Sequence, residues 1–298
     1  MPSKPACSER HPVLQLHQAY RKWGAAGRRD HSANSSDNKA VRGIIMLKTI
    51  LLVGVASVIA AMPAQAKEWK EIRIATEGAY PPFNFVAADG SLQGLDVEIA
   101  NALCKAMDAK CTIVANDWDG MIPGLKANKF DAVIASMSIT EERKKEVAFT
   151  DKYYSTPLSV AVPKDSPITS LDAEAYKGKL VGAQGATTQS NYAEDVYGKA
   201  GADVKLYPTA DEANADLQNG RLDAVVSDKF PISDWIKGDG ADCCKLIGDI
   251  PGTRTDTGIA LRQGNDDLRE QFNAAIKKIR DDGTYATIIK KYFDFDIY

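Results

Sequence analysis

The chemistry-bearing residues of this chain cluster at the ends of short apolar runs. Ala132-Val133-Ile134 leads into Ala135-Ser136-Met137-Ser138-Ile139-Thr140-Glu141-Glu142-Arg143, where hydroxyls precede an arginine. A guanidinium presents a planar fork of donors that matches a carboxylate. A second apolar run, 180–183, leads into Gln184-Gly185-Ala186-Thr187-Thr188-Gln189, which opens a helix. The free backbone N–H groups of a helix start also suit an anion. Asp228 follows Ala224-Val225-Val226-Ser227 and, with Ser138, could hold an ammonium group. Glu77 is a further acid, and Tyr80 and Trp118 are aromatic faces that could sandwich an aliphatic or cationic stem. One anion grip, one ammonium grip and one distal acid describe an α-amino acid with a positive side chain. Each residue singly has an ordinary reading: Arg143 as a surface ion pair, Tyr80 and Trp118 as core, Glu77 as solvated surface, Asp228 as a helix cap.

Other chemistries fit less well. All three histidines, His11, His17 and His31, precede residue 46. The rest of the chain therefore offers no Ser-His-Asp triad, no Cys-His dyad and no His-rich metal site. Its four cysteines match no C-x-x-C zinc spacing, so neither a metal nor a cofactor is expected. Gly182-Ala183-Gln184-Gly185 lacks the Lys-Ser/Thr end of a phosphate loop. Paired carboxylates could serve glycoside hydrolysis, but Glu77 and Asp228 fall in different series of elements.

The elements that must position these residues alternate. Residues 71–76 read as a strand, 77–83 as a loop, 95–107 as a helix with Leu95, Ile99 and Leu103 at helical spacing, and 111–115 as a strand. A helix over 121–128 and a strand over 132–135 complete the first series. The second has strands at 180–183, 204–207 and 224–227, with helices after Thr187 and over 209–219. A strand at 258–261 and helices at 266–282 and 285–292 close the chain. Such alternation implies parallel, doubly wound sheets, which bind ligands outside the carboxyl ends of their strands. Leu125-Lys-Ala-Asn-Lys-Phe-Asp131-Ala-Val-Ile134 is echoed by Leu217-Gln-Asn-Gly-Arg-Leu-Asp223-Ala-Val-Val226. The echo makes Ser136 and Asp228 equivalent, and implies two lobes with a ligand cleft between them. The expected division is 67–154 plus 259–298 for one lobe and 158–250 for the other, with crossovers at 155–157 and 251–258.

The chain has 298 residues and a net charge of −3, unevenly spread. Residues 1–45 are basic and aperiodic. Met46-Leu47-Lys48, an apolar run over 49–61 and Pro63-Ala64-Gln65-Ala66 have the form of a secretory signal peptide, with cleavage after Ala66. Met46 is thus the better start, and 1–45 reads as a non-native extension. Removing the nine basic and three acidic residues of 1–66 leaves 28 against 37, a net of −9, which argues against nucleic acid. An exported chain can keep a disulfide between Cys104 and Cys111 across one turn, although two free thiols also fit. Adjacent Cys243 and Cys244 would form only a strained ring, so each is expected to be free or paired elsewhere.

The chain from residue 67 resembles the periplasmic solute-binding proteins of polar amino acid ABC transporters, in particular the lysine/arginine/ornithine- and histidine-binding group, with opine-binding relatives close. The likeness rests on Thr76-Glu77-Gly-Ala-Tyr80-Pro-Pro-Phe83, Gly94-Leu-Asp-Val-Glu98, Asp117-Trp118-Asp119, Ser136-Met-Ser-Ile-Thr-Glu-Glu-Arg143, Gly185-Ala-Thr-Thr-Gln189, Gly220-Arg-Leu-Asp-Ala224 and Asp282-Gly-Thr-Tyr285…Lys291-Tyr-Phe293. It implies a type II periplasmic binding protein fold and a monomer that captures a basic amino acid by lobe closure and delivers it to inner-membrane permease subunits, without being an enzyme. It also implies roles. Arg143 and the Thr188 backbone take the ligand carboxylate, Ser138 and Asp228 its ammonium, Glu77 its side-chain cation, and Tyr80 and Trp118 its stem. Ala135, Ser136, Gln184, Thr187 and Gln189 line the site, and Cys104–Cys111 matches the disulfide of that group. This chain departs from the group's usual aspartate at Glu77, serine at Ala135, phenylalanine at Trp118 and leucine at Gln184. Glu77 and Trp118 lean toward arginine or opines. Asp228 would repel the extra carboxylate of an opine, which favours arginine. A cyclohexadienyl dehydratase-like enzyme is the rival on the same fold.

Overall fold

The structure is a computed structural model that describes residues 69–298. The expected extension, signal peptide and Ala66 cleavage site lie outside the described residues.

The chain builds its first sheet from β1 (Glu71–Thr76), then a small antiparallel sheet of β2 (Ala79–Tyr80), β3 (Asn84–Val86) and β4 (Leu92–Gln93). Helix α1 (Leu95–Ala106), strand β5 (Lys110–Ala115), helix α2 (Met121–Lys126), strand β6 (Ala132–Val133), the one-turn helix α3 (Glu141–Lys144) and the long strand β7 (Val147–Thr156) follow. The chain then passes into a second sheet. It comprises β8 (Leu158–Pro163), β9 (Leu180–Gln184), α4 (Thr188–Tyr192), β10 (Asp203–Tyr207), α5 (Ala210–Gln218), β11 (Ala224–Asp228), α6 (Lys229–Lys237) and β12 (Cys244–Asp249). It returns through β13 (Thr255–Arg262) and ends with α7 (Asp266–Asp281) and α8 (Thr284–Ile289).

The sheet orders are β5-β1-β6-β13-β7 and β10-β9-β11-β8-β12. Three neighbouring strands in each are parallel, as expected for doubly wound units. The other two make each sheet mixed: β13 runs antiparallel to β6 and β7, and β8 antiparallel to β11 and β12. The mixture follows from the connectivity, because β7 feeds directly into β8 and β12 returns into β13. The sequence reading placed no element over α6, β12 or the small β2–β4 sheet. Pro231 obscures α6, yet it sits in the first turn, where a missing N–H costs no helical bond.

The repeated Asp-Ala-Val segment has a shared structural cause. Asp131 and Asp223 each precede a strand that pairs in parallel with an earlier strand of its sheet, β6 with β1 and β11 with β9. Asp131 Oδ2 accepts the Arg73 N–H and Asp223 Oδ2 the Leu180 N–H, both at 2.9 Å. Their own N–H groups donate to the Arg73 and Leu180 carbonyls at 2.8 Å. The carboxylate thus replaces a ladder partner where the parallel pair begins. Asp131 is held further by Arg73 and Arg262.

Each sheet carries apolar residues on both faces. α1 and α7 cover Ile72, Ile74 and Leu261 in the first, while Met121, Leu125, Val133 and Val147 pack on its other side. In the second, Val160, Val181 and Val226 pack with Tyr176 and Tyr197, and Leu217, Leu222 and Ile232 lie opposite. Cys104 and Cys111 are disulfide-bonded across the turn between α1 and β5. Contrary to expectation, Cys243 and Cys244 are joined to each other. Both of their N–H groups bond the Gly240 carbonyl in the turn before β12. Among the described residues no helix is long and apolar enough to cross a membrane.

Candidate functional site

The carboxyl ends of the parallel strands in the two sheets face one narrow pocket, with about 270 Å³ of space not filled by atoms. It is lined by Glu77, Tyr80, Trp118, Ala135, Ser136, Ser138 and Arg143 from the first half, and by Gln184, Thr187, Thr188, Gln189 and Asp228 from the second. All twelve residues singled out in the sequence therefore meet in one place.

Local sequence rules account for how each is presented. Thr140 caps α3, its Oγ1 accepting the Arg143 N–H at 3.1 Å, and one turn of helix brings the Arg143 side chain back over the strand end. There Nη1 donates to the Ser138 carbonyl at 3.0 Å and Nη2 to the Ala186 carbonyl at 3.2 Å. The guanidinium also lies 5.3 Å from the centre of the Trp118 ring. Among the described residues Arg143 forms no ion pair, and burial lowers its pKa to about 10 against the opposing pull of Asp228 and Glu142. Thr187 caps α4 reciprocally with Ser190, which orients the first turn that carries Thr188 and Gln189.

Two acids complete the pocket. Asp228 ends β11 and is only 2% exposed. Its Oδ2 accepts the Tyr80 hydroxyl at 2.8 Å, while its buried Oδ1 has no hydrogen-bond partner. Burial raises its carboxyl to about 6, opposed by Tyr80 and Arg143. Asp228 occupies the cap position of α6 but makes no capping bond, so its side chain faces the pocket rather than serving the helix. Glu77 follows β1, 9% exposed, and its Oε1 accepts Gln184 Nε2 at 2.6 Å. Burial raises Glu77 to about 7; the Gln184 bond pulls it down and the charges of Asp211 and Asp117 push it up. Gln184 Nε2 also donates to the Pro208 carbonyl.

These contacts cross between the halves. Glu77 to Gln184, Tyr80 to Asp228, Trp118 Nε1 to the Ala186 carbonyl at 3.0 Å, and Arg143 to the same carbonyl all join one half to the other. The pocket as described is thus closed, its polar groups largely satisfied by one another.

The Ser136 hydroxyl does not point at the pocket. It donates at 2.9 Å to Asp96, a buried acid in the first turn of α1 that also accepts from Asn84 and Tyr153. Ser136 lines the pocket, and its backbone lies in the left-handed region, φ 54°. The sequence reading did not place Asp96, Asn84, Tyr153 or the Ala186 carbonyl at the site. A signal for Asp96 was present: with Ile99, Ala100 and Leu103 it falls three, four and seven residues apart on the apolar face of α1. An acid on a buried helical face needs partners.

Residues 72–295 match the bacterial extracellular solute-binding proteins, family 3. The L-arginine-binding protein of Pseudomonas aeruginosa is 41% identical over 258 residues, spanning 85% of this chain and 99% of that protein. The lysine/arginine/ornithine-binding periplasmic protein of Escherichia coli is 39% identical over 261 residues, spanning 85% of this chain and 98% of that protein. Among solved structures, an ancestral arginine-binding protein bound to arginine is 36% identical, with a TM-score of 0.72, and covers 76% of this chain and 100% of its own.

Proposed function

The chain belongs to the bacterial extracellular solute-binding proteins, family 3, and from that membership and the charges in its pocket we propose that it captures a basic L-amino acid, arginine above lysine, ornithine and histidine. Its two mixed sheets have the type II periplasmic binding protein fold anticipated from the sequence. One observation carries the reading of the ligand. The charged residues lining the pocket are Arg143, Asp228 and Glu77, one positive and two negative. A ligand with one carboxylate and two cationic groups complements that set, and a basic amino acid is such a ligand.

Arg143 takes the α-carboxylate with its fork of donors. Asp228 takes the α-ammonium, which supplies a partner for its buried Oδ1, and Ser138 assists. Glu77 meets the side-chain cation, with Trp118 and Tyr80 along the stem. Ala135, Ser136, Gln184, Thr187, Thr188 and Gln189 shape the walls. The lobes, divided at the crossovers 155–157 and 251–258, open and close as a hinge, since only the closed state satisfies both ends of the ligand. In this reading the protein works as a monomer in the periplasm and hands its ligand to the permease subunits of an ABC transporter. It needs no cofactor or metal and performs no catalysis.

A thermal-shift panel of the twenty amino acids with ornithine, octopine and nopaline tests the assignment, because a ligand that binds only the folded state raises the melting temperature. Arginine should give the largest shift. Opines should give small ones, since their added carboxylate would face Asp228. No shift with any basic amino acid overturns the reading. Product formation from prephenate or arogenate tests the rival dehydratase reading, and none is expected.

A further inference from the structure

Asp96 does not itself line the pocket, yet two segments that do, the Glu77–Asn84 loop and 135–143, converge on it together with Tyr153 of β7. It is fully buried in the first turn of α1 and has no basic partner among the described residues. Three side-chain donors reach it: Tyr153 OH at 2.7 Å, Asn84 Nδ2 at 2.8 Å and Ser136 Oγ at 2.9 Å. Each donor is tied onward. Asn84 Oδ1 accepts the Gly78 N–H at 2.8 Å, next to Glu77. Tyr153 OH accepts the Ser136 N–H at 3.2 Å, so Ser136 is held by both its side chain and its backbone. The Asp96 N–H donates to the Phe83 carbonyl at 2.7 Å and the Leu95 N–H to the Pro82 carbonyl at 3.0 Å, which fastens the other end of the Glu77–Tyr80 loop. That approach depends on Gly94: a Cβ there would lie 2.4 Å from the Phe83 carbonyl oxygen.

The strain in this region lies at Ser136. Its φ of 54° is a left-handed conformation that a residue with a Cβ adopts only when its surroundings impose it. Asp96 and Tyr153 both bond Ser136 in that conformation. Relaxation of Ser136 would move Ser138, whose carbonyl holds Arg143, and with it the guanidinium.

We propose that Asp96 is a positioning residue for ligand capture: as a buried acceptor for Ser136, Asn84 and Tyr153, it holds two pocket segments of the first half, 77–83 and 135–143, in their binding geometry before the ligand arrives. It acts alike on every basic amino acid, because it fixes the carboxylate grip at Arg143 and the acid at Glu77 that such ligands share. The proposal rests on the reading of Arg143 and Glu77 as ligand grips.

The test uses calorimetry on the full folded protein, with lysine and whichever basic amino acid the wild type binds most tightly. If the wild type binds no basic amino acid, the functional reading fails instead, and the same variants are tested against whatever amino acid the panel returns. Asp96→Asn should weaken both ligands about 10-fold or more with their ratio unchanged, since an amide cannot accept from all three donors. Adding Ser136→Gly should recover most of that loss, because glycine holds the left-handed conformation without a tether. A merely structural Asp96 would lower the melting temperature without moving affinity at a temperature where the variant is folded. Wild-type affinity in Asp96→Asn, a changed ligand ratio, or no recovery in the double variant overturns the proposal. Should Asp96→Asn fail to fold, Tyr153→Phe removes one of the Asp96 bonds and the bond to the Ser136 N–H. An equal loss for both ligands then supports the proposal, and wild-type affinity overturns it.

Discussion

Acidification should weaken capture of a basic amino acid through two named groups. Burial raises the Glu77 carboxyl to about 7 and the Asp228 carboxyl to about 6. A ligand cation needs both groups ionised, so each proton competes with it. Lowering the pH from about 8 to about 5.5 should weaken binding about 30-fold through Glu77 and about 4-fold through Asp228, roughly 100-fold together. Calorimetry near neutral pH in two buffers of different ionisation enthalpy should detect protons released on binding. The free protein should respond in the opposite sense. Both folded values lie above the ordinary 4.5 of a glutamate and 3.8 of an aspartate, so the folded state binds the extra protons. Their ionisation costs stability, fully so above about 7. That cost disappears as the pH falls through the folded values toward the ordinary ones, so stability rises. Glu77→Gln should remove the larger part of the pH dependence of binding. An affinity that stays flat across the range, or protons taken up on binding, would refute the role of these acids as cation receptors.

Other outcomes follow from the same contacts. Arg143→Ala removes donors worth about 1.5–3 kcal/mol per charge-assisted bond, so calorimetry should detect no arginine binding, and near-normal affinity would sink the carboxylate assignment. Glu77→Gln should weaken arginine at least about 10-fold more than a neutral amino acid, one charge-assisted bond being at stake; equal losses in paired titrations would reject Glu77 as the side-chain receptor. Asp131→Ala should cost about 3 kcal/mol in urea unfolding, because it removes the buried acceptor of the Arg73 N–H and the ion pairs to both Arg73 and Arg262, whereas the more exposed Asp223→Ala should cost about 1 kcal/mol. Equal costs would show that the extra arginine at Asp131 contributes little. Replacing Cys104 and Cys111 by serine opens a short loop and should cost about 2.5 kcal/mol in the same assay, with the ligand affinity unchanged.

The candidate site was legible because its parts obey local rules. A hydroxyl cap at Thr140 sets where α3 starts, and that sets where Arg143 points. A reciprocal cap at Thr187 does the same for α4. The strand ends follow from apolar runs that stop, and the Asp-Ala-Val echo pairs two such ends. What escaped was nonlocal. The pairing of β12 with β8 depends on a strand about eighty residues away, and α6 hides its amphipathic face behind an early proline.

The sequence by itself determined which residues carry charge, where helices begin and which strand ends are equivalent, since caps, periodicity and side-chain chemistry act within a few residues. Only the tertiary structure decided what those charges do. It brings Asp228 to Tyr80 and Gln184 to Glu77 across the cleft, turns the Ser136 hydroxyl away from the pocket and buries Asp96 beneath it. The physical reason is that burial and partner choice, which set a carboxylate's pKa and its role, are properties of segments that meet from distant parts of the chain.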